Sequence, residues 1–132
     1  MSEKVKVFVY GTLRRGNSNH FRRLDVEGSK FIGEGKTTNE FNMTAHVYPM
    51  VSRTKENNTQ IIGELFEVDE EIMHGSLDRL EGHPTFFERV TTEIEMDDGT
   101  KEEAWMYFLD KNDNSEHVPS GDFNEYLKTK KW

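Results

Sequence analysis

The stretch Val5-Lys6-Val7-Phe8-Val9-Tyr10-Gly11-Thr12-Leu13 packs β-branched and aromatic residues into a short run that closes on a glycine. Such residues favour pleated, buried backbone, so residues 5–10 are expected to form a core strand that Gly11 ends. A glycine at that point lets the backbone turn sharply and come close to a ligand. Successive N–H groups over Gly11, Thr12 and Leu13 are then able to form an anion site or to stabilise a developing oxyanion. Glycine also punctuates strands where no ligand binds, so the turn alone does not define a site.

Working outward, residues 17–24 have the pattern of a short helix capped by Asn17 or Ser18. Phe31 to Lys36 and Phe41 to Val51 are expected to be two separate strands. Residues 53–60 hold no large apolar side chain and are expected to be an exposed loop. Ile61 to Val68 predicts another strand, interrupted by Gly63. A helix is expected from Glu70 to Glu81, with Asp69 as its cap, Glu70 and Glu71 in its first turn, and Gly82 and Pro84 beyond its end. Phe87 to Met96 and Lys101 to Leu109 should form a hairpin around Asp97-Asp98-Gly99-Thr100. A last short helix is expected near Phe123 to Lys130, capped by Ser120 or Asp122. Strands interspersed irregularly with a few short helices predict an α+β domain, and strands of this size suit a small closed barrel.

Composition removes several classes of function. The 132 residues suffice for one domain with its own core, with no internal repeat and no linker. There is no cysteine, hence no disulfide, thiolate nucleophile or zinc–thiolate site. A net charge of −8 is unsuited to nucleic acid, which requires a basic face. No secretory pattern or membrane-length apolar stretch occurs, so a cytoplasmic protein that contacts no membrane is expected. Five histidines, His20, His46, His74, His83 and His117, lack metalloprotease spacing, and no metal site is expected. G-x-S-x-G, P-loop and dinucleotide patterns are absent as well. One basic cluster exists, Arg14, Arg15, Arg22 and Arg23. It is either a solvated face or a lure for an anionic ligand at the adjacent turn.

Glu81 is the second candidate for chemistry. On a regular helix Ile72, Met73, Ser76, Leu77 and Leu80 share one face, and Glu81 falls at its edge beside Leu77. Partial burial and the negative end of the helix dipole would both disfavour the carboxylate. Such a glutamate would titrate above its reference value of about 4.3, as a general acid/base requires. Among 25 acidic residues, a solvated surface carboxylate is the ordinary alternative.

The two candidates are joined by a resemblance. Val7-Phe8-Val9-Tyr10-Gly11-Thr12-Leu13-Arg14-Arg15-Gly16, followed by Asn19-His20, resembles the opening signature of the γ-glutamylcyclotransferase-like superfamily. The similarity is greatest to its γ-glutamylamine cyclotransferase and AIG2-like branch. Leu77-Asp78-Arg79-Leu80-Glu81-Gly82, followed by Phe87-Glu88-Arg89-Val90, resembles the segment around that family's catalytic glutamate. Tyr48-Pro49, Ala104-Trp105-Met106-Tyr107 and Ser120-Gly121-Asp122-Phe123 match lesser features. The resemblance implies a mixed β-barrel of about five to seven strands flanked by short helices. It implies that Glu81 is catalytic and that Tyr10, Gly11, Thr12, Leu13 and Phe87 contact a small γ-glutamyl substrate. It further implies release of 5-oxoproline and an amine, with no metal or organic cofactor, by a monomer or weak homodimer. A protein that binds a small molecule in the same cavity without turning it over is the alternative. Phe87 stands where relatives often carry tyrosine, and Phe123 where tryptophan is common; the first departure bears on the choice of substrate.

Overall fold

A computed structural model describes residues 3–11, 14, 28–45, 49–53, 58–81, 87–109 and 116–129; for Pro49, Ser76, Leu80, Glu81, Glu116 and Thr129 it describes backbone alone. The helix expected at 17–24, Arg15, Arg22, Arg23, Tyr48 and the Gly82–Pro84 stop lie outside the described residues. The opening run forms β1 (Lys4–Val9). Val7, Phe8 and Val9 are all buried, which accounts for the unbroken apolar pattern: both faces of the strand are covered.

Strands β2 (Ser29–Ala45), β4 (Thr59–Asp69), β1, β6 (Lys101–Phe108) and β5 (Glu88–Met96) pair in that order. β5 then pairs back to β2 at Gly35, Lys36 and Thr37, closing a barrel. Only the β1–β6 pairing among these is parallel, so the barrel is mixed. β3 (Pro49–Ser52) and β7 (Glu116–His117) add to the far half of β2. Phe8, Ile61, Leu65, Ile94, Ala104, Met106 and Phe108 belong to an apolar cluster that draws on every barrel strand and fills the interior. A second cluster on the outer face joins Val7, Val9, Phe66 and Tyr107 to Met73 and Leu77 of the helical segment.

The two strands expected at 31–36 and 41–51 are instead one long strand, β2, followed by the separate β3. The polar residues Thr37, Thr38 and Asn39 bend the strand without ending it. Along β2 the register moves from Lys36↔Ile62 to Glu40↔Gln60, leaving Ile61 opposite no backbone partner. The Thr37 hydroxyl takes over, accepting the Ile61 N–H at 2.9 Å and donating to the Asn39 carbonyl at 2.6 Å. Thr37 is fully buried. Thr37→Val is therefore expected to lose about 1–3 kcal/mol in denaturant unfolding, the cost of orphaning a buried N–H. An unchanged midpoint would show that the bulge does not depend on this hydroxyl.

Gly63 does not interrupt β4, which runs through it from Thr59 to Asp69. The residue is needed for close approach: a Cβ would lie 2.3 Å from the Val9 carbonyl oxygen and 2.7 Å from the Phe8 ring. Gly63→Ala should cost about 1–3 kcal/mol by overpacking, read in the same unfolding experiment. The atoms displaced first belong to the end of β1, from which the Tyr10–Gly11 turn departs.

The hairpin β5–β6 forms around the expected turn, with Gly99 at φ 89° and the Met96 N–H donated to the Thr100 carbonyl at 2.7 Å. The last helix spans Phe123–Thr129 (α3, after the two short α-helices below), and Asp122 is its cap. Its Oδ1 accepts N–H bonds from Asn124 at 3.0 Å and Glu125 at 3.3 Å.

The helix expected at 70–81 is present but irregular. It runs as α1 (Glu70–Ile72), a π-helical turn (Met73–Leu77) and α2 (Asp78–Glu81). Asp69 marks its start without capping it: the carboxylate goes to the Lys4 ammonium. The Glu70 N–H is satisfied by the Glu3 carbonyl at 2.8 Å.

Candidate active site

β1 delivers Tyr10 and Gly11 to one end of the barrel. Tyr10 is 7% exposed, and its hydroxyl donates to the Tyr107 carbonyl at 2.7 Å. The Gly11 carbonyl accepts the Arg14 N–H at 3.0 Å, as expected of a turn directly after the strand. Thr12 and Leu13, expected to contribute amides, lie outside the described residues.

Arg14, the one described member of the basic cluster, departs from both expectations. It neither faces solvent nor offers itself to an anion. The residue is 5% exposed, its Nε lies 3.4 Å from Glu64 on β4, and its Nη1 lies 2.8 Å from Asp122. One guanidinium thus ties the opening turn to the barrel and to the cap of α3.

The other half of the expected site is the helical segment. Met73 and Leu77 are buried as the periodicity requires. The π-helical turn then adds a residue to the ladder, and the Asp78 N–H reaches back to the Met73 carbonyl. Asp78, which the regular-helix pattern leaves off the apolar face, is buried. Its Oδ1 accepts from the Arg89 Nε at 2.8 Å and the Tyr107 hydroxyl at 2.5 Å, and its Oδ2 from the Arg89 Nη2 at 3.0 Å. That is a bidentate guanidinium–carboxylate pair with a phenol added. The bond to Asp78 is the main cause holding the Arg89 guanidinium above its ordinary pKa, against the opposing effect of burial. Arg89 also lies 4.7 Å from the centre of the Trp105 ring. At the solvent edge His74 faces the Glu70 carboxylate and Arg89.

Glu81 is the last residue of α2, three positions beyond this buried carboxylate, and it is described by its backbone. Phe87 is 3% exposed and belongs to the outer apolar cluster with Leu77 and Tyr107. Tyr10, Leu77, Phe87 and the Asp78–Arg89–Tyr107 group therefore share one part of the molecule, where β1, α2 and β6 meet. Among the described residues, no group of three His, Cys, Asp or Glu side chains is arranged to hold a metal ion. No helix there is long and apolar enough to cross a membrane.

The family described as Gamma-glutamyl cyclotransferase, AIG2-like, matches residues 7–125, and the chain belongs to it. A protein of Methanocaldococcus jannaschii named as a candidate gamma-glutamylcyclotransferase is 42% identical over 120 residues, spanning 91% of this chain and 96% of the relative. The gamma-glutamylaminecyclotransferase of Rattus norvegicus is 33% identical over 93 residues, covering 67% of this chain and 62% of the rat protein. An AIG2-like protein of Mus musculus, solved by crystallography, superposes with a TM-score of 0.78 at 26% identity, over 91% of this chain and 89% of that one. These likenesses agree with the mixed barrel and its flanking helices.

Proposed function

We propose that this protein converts a γ-glutamyl amine or γ-glutamyl amino acid to 5-oxoproline and the free amine. Membership of the cyclotransferase family across residues 7–125 is the observation that carries this reading. In the reaction the substrate's α-amine attacks its own γ-carbonyl carbon. A ring C–N bond forms, the original amide C–N bond breaks, and no water is consumed. The attacking nitrogen must lose a proton and the leaving nitrogen must gain one, so a single carboxylate is able to carry that proton between them. Glu81 is assigned this role. Gly11, Thr12 and Leu13 supply amides that hold the substrate and receive the developing oxyanion, with Tyr10 and Phe87 shaping the pocket around it.

No enzyme nucleophile is needed, because the substrate supplies its own; a chain without cysteine is suited to that. The enzyme's task is to fold the γ-glutamyl group so that amine and carbonyl meet, where effective molarities of about 10⁵ M or more are available. We place the reaction in the cytoplasm, on a monomer or weak homodimer acting as one domain. The sequestering alternative has lost Arg14, which is committed to Glu64 and Asp122.

The test is a panel of γ-glutamyl amines, γ-glutamyl dipeptides and glutathione, with 5-oxoproline measured by mass spectrometry. Formation of 5-oxoproline from at least one member is expected. If none yields it, the proposed activity is wrong.

A further inference from the structure

The structure brings Arg89 and Tyr107 onto Asp78, the first residue of the turn that ends in Glu81. We propose that these three are positioning residues for Glu81, with Tyr107 serving as the common reference for both halves of the site; this rests on the cyclotransferase reading above.

Tyr107 is bound at two points. Its hydroxyl donates to Asp78 at 2.5 Å, and its carbonyl accepts from the Tyr10 hydroxyl at 2.7 Å. One residue of β6 thereby touches the first residue of α2 and the last residue before Gly11. Arg89 stands directly opposite Tyr107 in the β5–β6 ladder, so the two donors to Asp78 are spaced by sheet register. A sheet is a stiffer support than a loop for a group that must be held within a fraction of an ångström.

The helix needs such support because α2 is short. It spans Asp78–Glu81, follows a π-helical turn and has too few residues to be stable by itself. Anchoring its first side chain by three hydrogen bonds fixes the rotation of the whole turn, and hence the direction in which position 81 leaves the backbone. The Arg89 guanidinium stays charged while Glu81 changes protonation, since it does not titrate in the working range. The cationic half of the anchor is therefore constant through the catalytic cycle.

Asp78→Asn and Tyr107→Phe preserve shape while weakening the anchor. Each is expected to lower kcat about 10-fold or more on the panel member turned over fastest, with KM changed less than about twofold, the pattern of misplacement in the transition state. Thr37→Val, remote in role but also destabilising, should leave kcat unchanged. In a Glu81→Gln background neither variant should lower the residual rate further, because the anchor acts only through Glu81. An unchanged kcat in either single variant overturns the proposal, as does an equal fold-loss in the Glu81→Gln background, which would mean direct contact with substrate.

No turnover of any panel member by the unaltered protein would instead remove the cyclotransferase reading, and full turnover by Glu81→Gln would remove Glu81 as its acid/base. Amide hydrogen exchange then decides the anchoring by itself. Faster exchange over residues 78–81 in Tyr107→Phe, and not in Thr37→Val, supports it; unchanged protection overturns it.

Discussion

Glu81→Gln is expected to lower kcat for 5-oxoproline formation by about 10²- to 10⁴-fold, the range that a positioned acid/base contributes. The amide matches the carboxylate in size and keeps an oxygen acceptor, so substrate should still bind and KM should change little. What it lacks is the ability to take the α-amine proton and return it to the leaving nitrogen. A loss confined to kcat identifies an interaction made only in the transition state; a rise in KM with kcat intact would reduce Glu81 to a substrate-binding role. Thermal unfolding of the same variant separates the two from a collapsed helix. Position 81 is the last residue of α2 and the change is isosteric, so Tm should change little.

Local pattern made much of this fold legible. β1 was readable because both its faces are buried, and the β5–β6 hairpin because a turn with a glycine lies between two alternating runs. β2 was not readable as one strand. Thr37, Thr38 and Asn39 look like a break in sequence, whereas the hydroxyl of Thr37 repairs the ladder and lets the strand bend around the barrel. That repair depends on Ile61, 24 positions away, and no local window contains it.

The site shows the same division. The opening motif and the segment around Glu81 stand out because the resemblance resides in contiguous residues. The Asp78–Arg89–Tyr107 group was missed although all three residues lie within the matching segments. A helix drawn with uniform periodicity puts Asp78 off the apolar face. The π-helical turn brings it inward, and the partners that receive it come from β5 and β6. The one local clue was a carboxylate directly after the core residue Leu77.

Arg14 exposes the limit most sharply, and its substitution is the second large effect expected. Arg14→Met should destabilise the protein by about 3–5 kcal/mol in denaturant unfolding. The methionine fills most of the same volume, so the loss is chiefly electrostatic. Glu64, with 4% of its side chain exposed, would lose this guanidinium from its buried surroundings. Asp122 would suffer less, being more exposed and still capping α3 through Asn124 and Glu125. Adding Glu64→Gln to Arg14→Met should recover a large part of the loss, since a neutral amide is less costly to bury than a carboxylate that has lost its guanidinium. An anion-recruiting arginine predicts the opposite set of results: stability unchanged, weaker binding of a γ-glutamyl compound, and no rescue by Glu64→Gln. Because Arg14 also accounts for where the turn after Gly11 is pinned, its removal should lower kcat/KM even at temperatures where the variant remains folded. The same substitution thus distinguishes an arginine that attracts the substrate from one that builds the place where the substrate binds.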